Sequence, residues 1–332
     1  MARISTGKRA LAADSWNEQD YDTAVEIARR YYLEGQSRVD IAKELELTRF
    51  QVARILQEAL SSGLVRIEIG RPGLPDPELG EALAAALGIE RAVVIRATGD
   101  SYATTLAQIA RQLAGVVSET VTAGTILGLS WSRTLDAMAH AITGLQPCTV
   151  VQLAGHLHLP GQSSSSVEIV RRVASASGGT AFPIYAPMLV DDPATAVALR
   201  KLPEVADALA MVSQVDVAVA SIGGWTPSSS QLFDSLPADA IREASRLGAV
   251  GEVVGRIFDE AGKPLELLDG RTIAVTLDEL RAVPHVILSG FGEHRASATV
   301  AAVRATDART LVTDEALARA IIALPGDTVN SS

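Results

Sequence analysis

The stretch Thr125–Met138, TILGLSWSRTLDAM, joins an apolar run to a helical pattern through Ser130, Trp131 and Ser132. A strand-to-helix turn of small hydroxyl residues leaves backbone N–H groups pointing outward, with the positive end of a helix dipole behind them. Ser130, Ser132 and Thr134 add hydroxyls, and Arg133 adds a cation. Such a set suits a phosphate or a dense array of sugar hydroxyls. Taken alone, the segment also reads as a serine-capped helix on a plain α/β scaffold.

A second stretch with chemistry in it is Ser37–Val65, SRVDIAKELELTRFQVARILQEALSSGLV. Val39, Ile41, Ala42 and Leu45 give one helical face, ELELT supplies a turn, and Thr48 caps a following helix. Phe50, Val52, Ala53, Leu56 and Leu60 give that helix its apolar pattern. A preceding helix, about Tyr21 to Leu33, offers Val25, Ile27, Ala28 and Tyr32 to complete a three-helix core, and Gly35 fits the turn after it. Helix, short turn and capped helix form the helix-turn-helix arrangement, whose second helix lies in the major groove of DNA. On that reading Thr48, Arg49, Gln51 and Arg54 face DNA, Arg pairing with guanine and Gln with adenine. Ser37 and Arg38 touch phosphates, and SSGLVRIEI begins a wing. An ordinary helical hairpin with a solvated Arg/Gln face gives the same pattern.

The net charge of −10 does not oppose that reading. Residues 1–71 hold 11 Lys/Arg and 11 Asp/Glu, so the whole acidic excess lies beyond them. It places nucleic acid away from the large C-terminal part. At 332 residues the chain suits two domains. No apolar run approaches the ~20 residues of a membrane span, and the N-terminus lacks a signal-peptide core. The single cysteine, Cys148, opens the apolar run CTVVQLAG and reads as a small buried hydrophobe in a protein of the reducing cytoplasm.

The elements that must hold these residues follow from the patterning. Residues 1–19 read as a flexible tail, 20–70 as the helix-turn-helix domain ending in the strand Leu64–Ile69, and 71–80 as a linker rich in Pro and Gly. From 81 to 332, apolar runs recur: RAVVIRA, TILGLS, CTVVQLAG, TAFPIYA, VDVAVASIGG, RTIAVTL, PHVILSG and RTLVTD. Several lead into amphipathic stretches, at 132–142, 167–177, 293–304 and 314–323. Apolar strands alternating with helices specify a doubly wound, mostly parallel sheet covered on both faces. Ligands bind such sheets beyond the strands' carboxyl ends.

The run DIAKELELTRFQVARILQEALSSGLV resembles the helix-turn-helix of bacterial sugar-responsive regulators of the SorC/DeoR type. TILGLSWSRT resembles the phosphate loop of the SorC sugar-binding domain. The likeness continues in order through VVQLAGHL (150–157), VDVAVASIGG (215–224), GAVGEVVGRIFDEAG (248–262), VILSGFGEHRASATVAAV (286–303) and TLVTDEALARAII (310–322). It implies a fold similar to ribose-5-phosphate isomerase and glucosamine-6-phosphate deaminase. It also implies a carbohydrate or carbohydrate-phosphate effector, operator DNA and further copies of the chain, up to a tetramer, as partners.

Carried over residue by residue, the effector site comprises Gly128, Ser130, Trp131, Ser132, Arg133, Thr134, Gln152, Gly155, His156, Gly223, Gly224, Glu252 and Arg295. Two positions depart from the family pattern. Ser132 stands where glycine is usual, narrowing the space for a phosphate, and Arg295 replaces the usual lysine. The four lysines, Lys8, Lys43, Lys201 and Lys263, all lie away from strand carboxyl ends, so no Schiff-base chemistry is expected. No cofactor, metal or catalytic residue is expected either. His156 and His158 share a strand face, but no third ligand accompanies them. The competing reading is an isomerase- or deaminase-like enzyme with an accessory DNA-binding head.

Overall fold

The computed structural model describes residues 18–32, 34–62, 64–65, 73–98, 101–157 and 165–325. The chain divides into two compact units, Met1–Gly70 and Arg71–Ser332.

Among the described residues, three helices build the first unit: α1 (Glu18–Tyr32), α2 (Arg38–Glu44) and α3 (Arg49–Ser62). Ser37 caps α2, its hydroxyl accepting from the Asp40 N–H at 3.2 Å. At the head of α3, Gln51 N–H donates to Thr48 Oγ1, and Thr48 N–H donates back to Gln51 Oε1. This reciprocal cap satisfies two backbone donors that a helix start leaves open. Glu46, in the turn between α2 and α3, takes a left-handed φ of 53°. Ile27, Ala28, Ile41, Ala42, Val52 and Leu56 form the core.

Four residues expected in that core are exposed instead: Val25, Val39, Phe50 and Leu60. The stripe on α3 is Val52, Leu56 and Ala59. Phe50 lies two residues before it, about 200° around the helix, and Val39 stands in the same relation to Ile41. The sequence-predicted tail overlaps α1 at Glu18–Gln19, while its first 17 residues lie outside the described ones. So does most of the expected wing strand, residues 66–69.

Among the described residues, the second unit holds eleven strands: β1 (Leu74–Pro75), β2 (Arg91–Arg96), β3 (Ile126–Leu129), β4 (Thr149–Gln152), β5 (Ala181–Phe182), β6 (Val217–Ser221), β7 (Gly223–Gly224), β8 (Gly251–Val253), β9 (Arg256–Phe258), β10 (His285–Ser289) and β11 (Thr310–Asp314). Its helices are α4 (Pro77–Leu87), α5 (Tyr102–Thr120), α6 (Arg133–Ala141), α7 (Ser166–Ser177), α8 (Pro193–Arg200), α9 (Pro203–Ala210), α10 (Gln231–Ser235), α11 (Ala238–Arg246), α12 (Leu277–Arg281), α13 (Ala296–Thr306) and α14 (Glu315–Ile322). Eight strands form the main sheet in the order β1-β2-β11-β10-β6-β3-β4-β5, parallel except for the edge strand β1.

Alternate side chains on each central strand pack on opposite faces. Leu127, Leu129, Val217, Val219, Ile287 and Val312 meet α5, α6 and α7, through Ile109, Leu113, Leu135, Met138, Ile169 and Val173. Ala218, Ala220, Val286, Leu288 and Leu311 face the other side, where α13, α14 and the small sheet β7-β8-β9 lie. Period-two alternation with both faces apolar is what a doubly covered parallel sheet requires. Cys148 is buried in the first of these layers, and burial pushes its thiol pKa up.

Two expectations need correction. From Leu74 on, the Pro/Gly-rich segment is not a linker. Leu74 and Pro75 pair with β2, and Asp76 caps α4, whose first residue is Pro77. A proline costs nothing at a helix's first position, where its missing N–H has no partner to lose. Gly80 belongs there because a Cβ would lie 2.6 Å from the Ala92 carbonyl oxygen of β2. Gly80→Ala is expected to destabilise the protein by about 1–3 kcal/mol, read as a lowered urea midpoint with an unchanged m-value.

RTIAVTL (271–277), the second, is not a strand of the main sheet. Its backbone is tied piecewise instead: Ile273 N–H donates to Met188 O and Val275 N–H to Leu153 O. Buried Arg256 donates to the carbonyls of Ala274 and Val275 and pairs with Asp269 at 3.1 Å. The apolar run matched a strand, but its hydrogen bonds were claimed by a cross-connection.

Candidate functional site

The connection after β3 runs to β4 on one side, while that after β6 runs to β10 on the other. The strand order therefore reverses between β3 and β6, the place where a doubly wound sheet opens a crevice. Three neighbouring strands, β3, β6 and β10, end at this crevice in Ser130, Ser221 and Ser289. Around them lies a cavity with about 810 Å³ of open space, part of it continuous with solvent.

Of the thirteen positions predicted for this site, nine line the cavity: Ser130 to Thr134, Gly155, Gly223, Glu252 and Arg295. Ser132 caps α6, accepting from Leu135 N–H at 3.0 Å, and shares a 2.7 Å hydrogen bond with Ser221 Oγ. Its hydroxyl is therefore committed to holding the loop. Arg133 stands at the exposed edge, its guanidinium 5.3 Å over the Tyr102 ring. Gly223 must lack a side chain because a Cβ would collide with the Glu252 carboxylate and with Ser230.

The other four serve the scaffold. Gly128 faces Leu153 and Val215, leaving no room for a Cβ. Gln152 is fully buried and fully used: Nε2 donates to Ala154 O and Ser166 Oγ, and Oε1 accepts from Ile184 N–H. Nothing of it remains for a ligand, and its work is to fix the end of β4 to the start of α7. His156 packs edge-on against Trp131, ring centroids 6.4 Å apart. Gly224 lies behind the wall, against Ser229. His158 and residues 161–164 are outside the described residues.

Glu252 accepts from Ser230 Oγ at 2.9 Å and from Gly255 N–H at 3.1 Å. The surrounding protein desolvates its carboxyl, and this burial raises the pKa from the ordinary 4.5 against both hydrogen bonds. The native state therefore holds this proton more tightly than the unfolded chain does. Stability from this group is greatest below pH 4.5 and falls as pH rises toward the native pKa. Glu252→Gln removes that loss, since Gln cannot ionise and the Ser230 hydroxyl can rotate to accept from it. Its melting temperature relative to wild type is expected to rise as the pH is raised above 4.5, measured by scanning fluorimetry; parallel curves would contradict it.

Arg295, 7% exposed, is the second cation. Nη1 donates to Phe291 O at 2.6 Å and Nη2 to Ser229 O at 2.9 Å. Asp314 sets the loop that carries it, accepting from Gly292 N–H and from Leu317 N–H at the start of α14. Burial lowers the Arg295 pKa, and Arg133 lowers it further, so two positive charges share one cavity. Among the described residues, neither makes an ion pair with a carboxylate within 4.0 Å. Three buried polar atoms in the lining, Trp131 Nε1, Ser229 Oγ and Ser289 Oγ, have no hydrogen-bond partner within the described chain. Buried donors and acceptors left open are costly.

Sequence reasoning missed Tyr102, Met188, Ser221, Ser229, Ser230, Ser289 and Phe291. Serines closing three separate apolar runs, and the run SSS at 228–230, carried a signal. Tyr102 and Met188 carried none, since only the packing of α5 and the 186–189 segment brings them in.

In the first unit, Arg38, Val39, Arg49, Phe50 and Ala53 line one surface hollow. The other residues predicted to face DNA are more occupied. Ser37 Oγ donates to Asp40 at 2.6 Å, Gln51 Oε1 is held in the α3 cap, and Arg54 leans on Glu58 at 3.7 Å.

The fold and the cavity define a doubly wound α/β unit with a crevice where its strand order reverses. A family model described as "Putative sugar-binding domain" matches residues 75–323, so the chain belongs to this SorC/DeoR-type sugar-binding domain family. It is similar to the deoxyribonucleoside regulator of Bacillus subtilis (strain 168), 28% identical over 304 residues that cover 90% of this chain and 96% of that one. Transcriptional regulator LsrR of Klebsiella pneumoniae is 28% identical over 310 residues, 90% of this chain and 92% of that one. The full-length sorbitol operon regulator SorC from Klebsiella pneumoniae shares the fold, with a TM-score of 0.68 at 20% identity over 92% of this chain and all of that one.

Proposed function

We propose that this protein is a bacterial transcriptional regulator whose hold on operator DNA is set by a carbohydrate, polyol or carbohydrate phosphate bound in the second unit. The observation that carries this reading is the cavity where the sheet order reverses. It combines a lining of hydroxyl side chains, Ser130, Ser132, Thr134, Ser221 and Ser230, with Arg133 and Arg295, which among the described residues make no ion pair with a carboxylate. Hydroxyls answer the first set, and a phosphate or other anion answers the second. The regulators among its relatives support the link to DNA.

The cavity reads as a receptor rather than a catalytic centre. Among the described residues no lysine lines it, and Glu252 is engaged by a hydroxyl and a backbone N–H rather than by a base that could share its proton. The protein acts in the cytoplasm as at least a dimer, because twofold half-sites call for paired heads. Effector and operator then change each other's affinity by one common factor.

The test is a thermal-shift screen with sugars, polyols and their phosphates, followed by operator binding with and without any hit. One compound is expected to raise the melting temperature, alter DNA affinity and be recovered unchanged. A ligand at a hundred times its Kd stabilises by about 2.7 kcal/mol. Chemical conversion of the hit, or no response to any compound, would overturn the reading.

A further inference from the structure

The surface hollow of the first unit contains two large apolar side chains that the helix pattern would have buried. Phe50 is 72% exposed and Val39 59%. They share the hollow with Ala53, and Arg38 and Arg49 stand at its rim. Each arginine lies over an aromatic ring: Arg49 is 5.0 Å from the Phe50 centroid and Arg38 is 5.8 Å from that of Tyr31. Among the described residues, no carboxylate lines the hollow. An apolar floor inside a cationic rim repels another basic surface and rewards an anionic one that carries an apolar group of its own. The major groove of duplex DNA has that composition. Phosphates flank it, and the thymine 5-methyl is the apolar group its base edges present.

The start of α3 points the same way. Reading adenine needs both the oxygen and the nitrogen of a glutamine amide, but Gln51 Oε1 already accepts from Thr48 N–H and Thr48 Oγ1, each at 2.8 Å. Of the first three residues of α3, Arg49 and Phe50 therefore keep free reading surfaces, and Phe50 has no polar atom with which to read anything but a methyl.

We propose that Phe50, backed by Val39, reads a thymine 5-methyl in each half-site and so determines part of the operator sequence. This inference rests on the DNA-binding reading above. Arg49, stacked on the ring, is held in place by it to reach the neighbouring base or phosphate.

The experiment uses the full-length protein. Duplexes are selected from a random-sequence library, and each thymine of the winning sequence is then replaced in turn by uracil, which lacks only the methyl group. Wild type is expected to lose about fourfold in affinity for each replacement at one symmetry-related pair of positions, one in each half-site, the worth of one buried methyl. Phe50→Ala, whose side chain is exposed and outside the core, is expected to bind thymine and uracil duplexes equally at those positions, with Phe50→Leu intermediate. Wild type that binds its selected duplex but ignores every replacement would overturn the assignment. So would a Phe50→Ala variant that keeps the full uracil penalty. If no sequence is enriched and affinity never exceeds that for random duplex, the DNA-binding reading itself fails, and this inference falls with it.

Discussion

Replacing Arg295 with alanine is expected to weaken effector binding by about a hundredfold or more, the largest single effect in the cavity. Hydrogen bonds to a charged group contribute about 1.5–3 kcal/mol each. The guanidinium sits in a wall where the surrounding protein lowers the local dielectric, so its attraction for an anionic or hydroxylated ligand is stronger than at a surface. Truncation also leaves the carbonyls of Phe291 and Ser229 facing the cavity without their donor. Arg295→Lys keeps the charge but not the planar fork that spans both carbonyls, and an intermediate loss of about tenfold follows. Calorimetric titration with the screened effector reads the affinities, and near-ultraviolet circular dichroism reads the fold. A well-folded Arg295→Ala variant with wild-type affinity would place the effector elsewhere.

How far the sequence revealed this site depends on which interactions are local. The loop Ser130–Thr134 was legible because a strand, two serines and a helix start lie within ten residues, and local rules decide their geometry. The main strands were legible too, since apolar runs such as VAVAS and HVILS can be satisfied only between two packed layers. Ser221 and Ser289 were not, although each closes such a run. Their role depends on β6 lying between β3 and β10, a long-range pairing that no periodicity encodes. Gln152 misled for a related reason. Its polar side chain at a strand end matches a ligand position, yet the amide is spent on Ala154, Ser166 and Ile184, partners up to 32 residues away. RTIAVTL misled in the opposite sense, since its strand-like composition was recruited by Arg256 and Met188 rather than by a neighbouring strand. In the first unit, helical arithmetic alone separated Val52 from Phe50. Reading both as one apolar face concealed the most exposed large hydrophobic residue in the protein's described part.

The second large effect divides the two units. Arg49→Ala is expected to lower operator affinity by about a hundredfold or more in a dimeric complex, because a bidentate base contact is worth about 1–3 kcal/mol and is lost twice. Effector affinity should stay within about twofold of wild type. Arg133→Ala should do the reverse. It weakens the effector by about tenfold, less than Arg295→Ala because Arg133 is exposed at the cavity edge, and it leaves effector-free DNA binding unchanged. Arg54→Ala is the internal comparison: its guanidinium leans on Glu58 at 3.7 Å, so less is lost with it. Fluorescence anisotropy with labelled operator and calorimetry with the effector read the two affinities, and a salt titration adds a further distinction. If Arg49 grips a phosphate rather than a base, its removal lowers the slope of log K against log salt by about 0.9 per contact and weakens all sequences alike. The first 71 residues carry equal numbers of acidic and basic side chains, so one head has little phosphate attraction to draw on. On the proposed reading, useful affinity then comes from several heads held at the right spacing. An effector that alters that spacing governs binding without touching DNA, which is why both mutations can act through separate sites on one equilibrium. Loss of both activities in both folded variants would contradict this division.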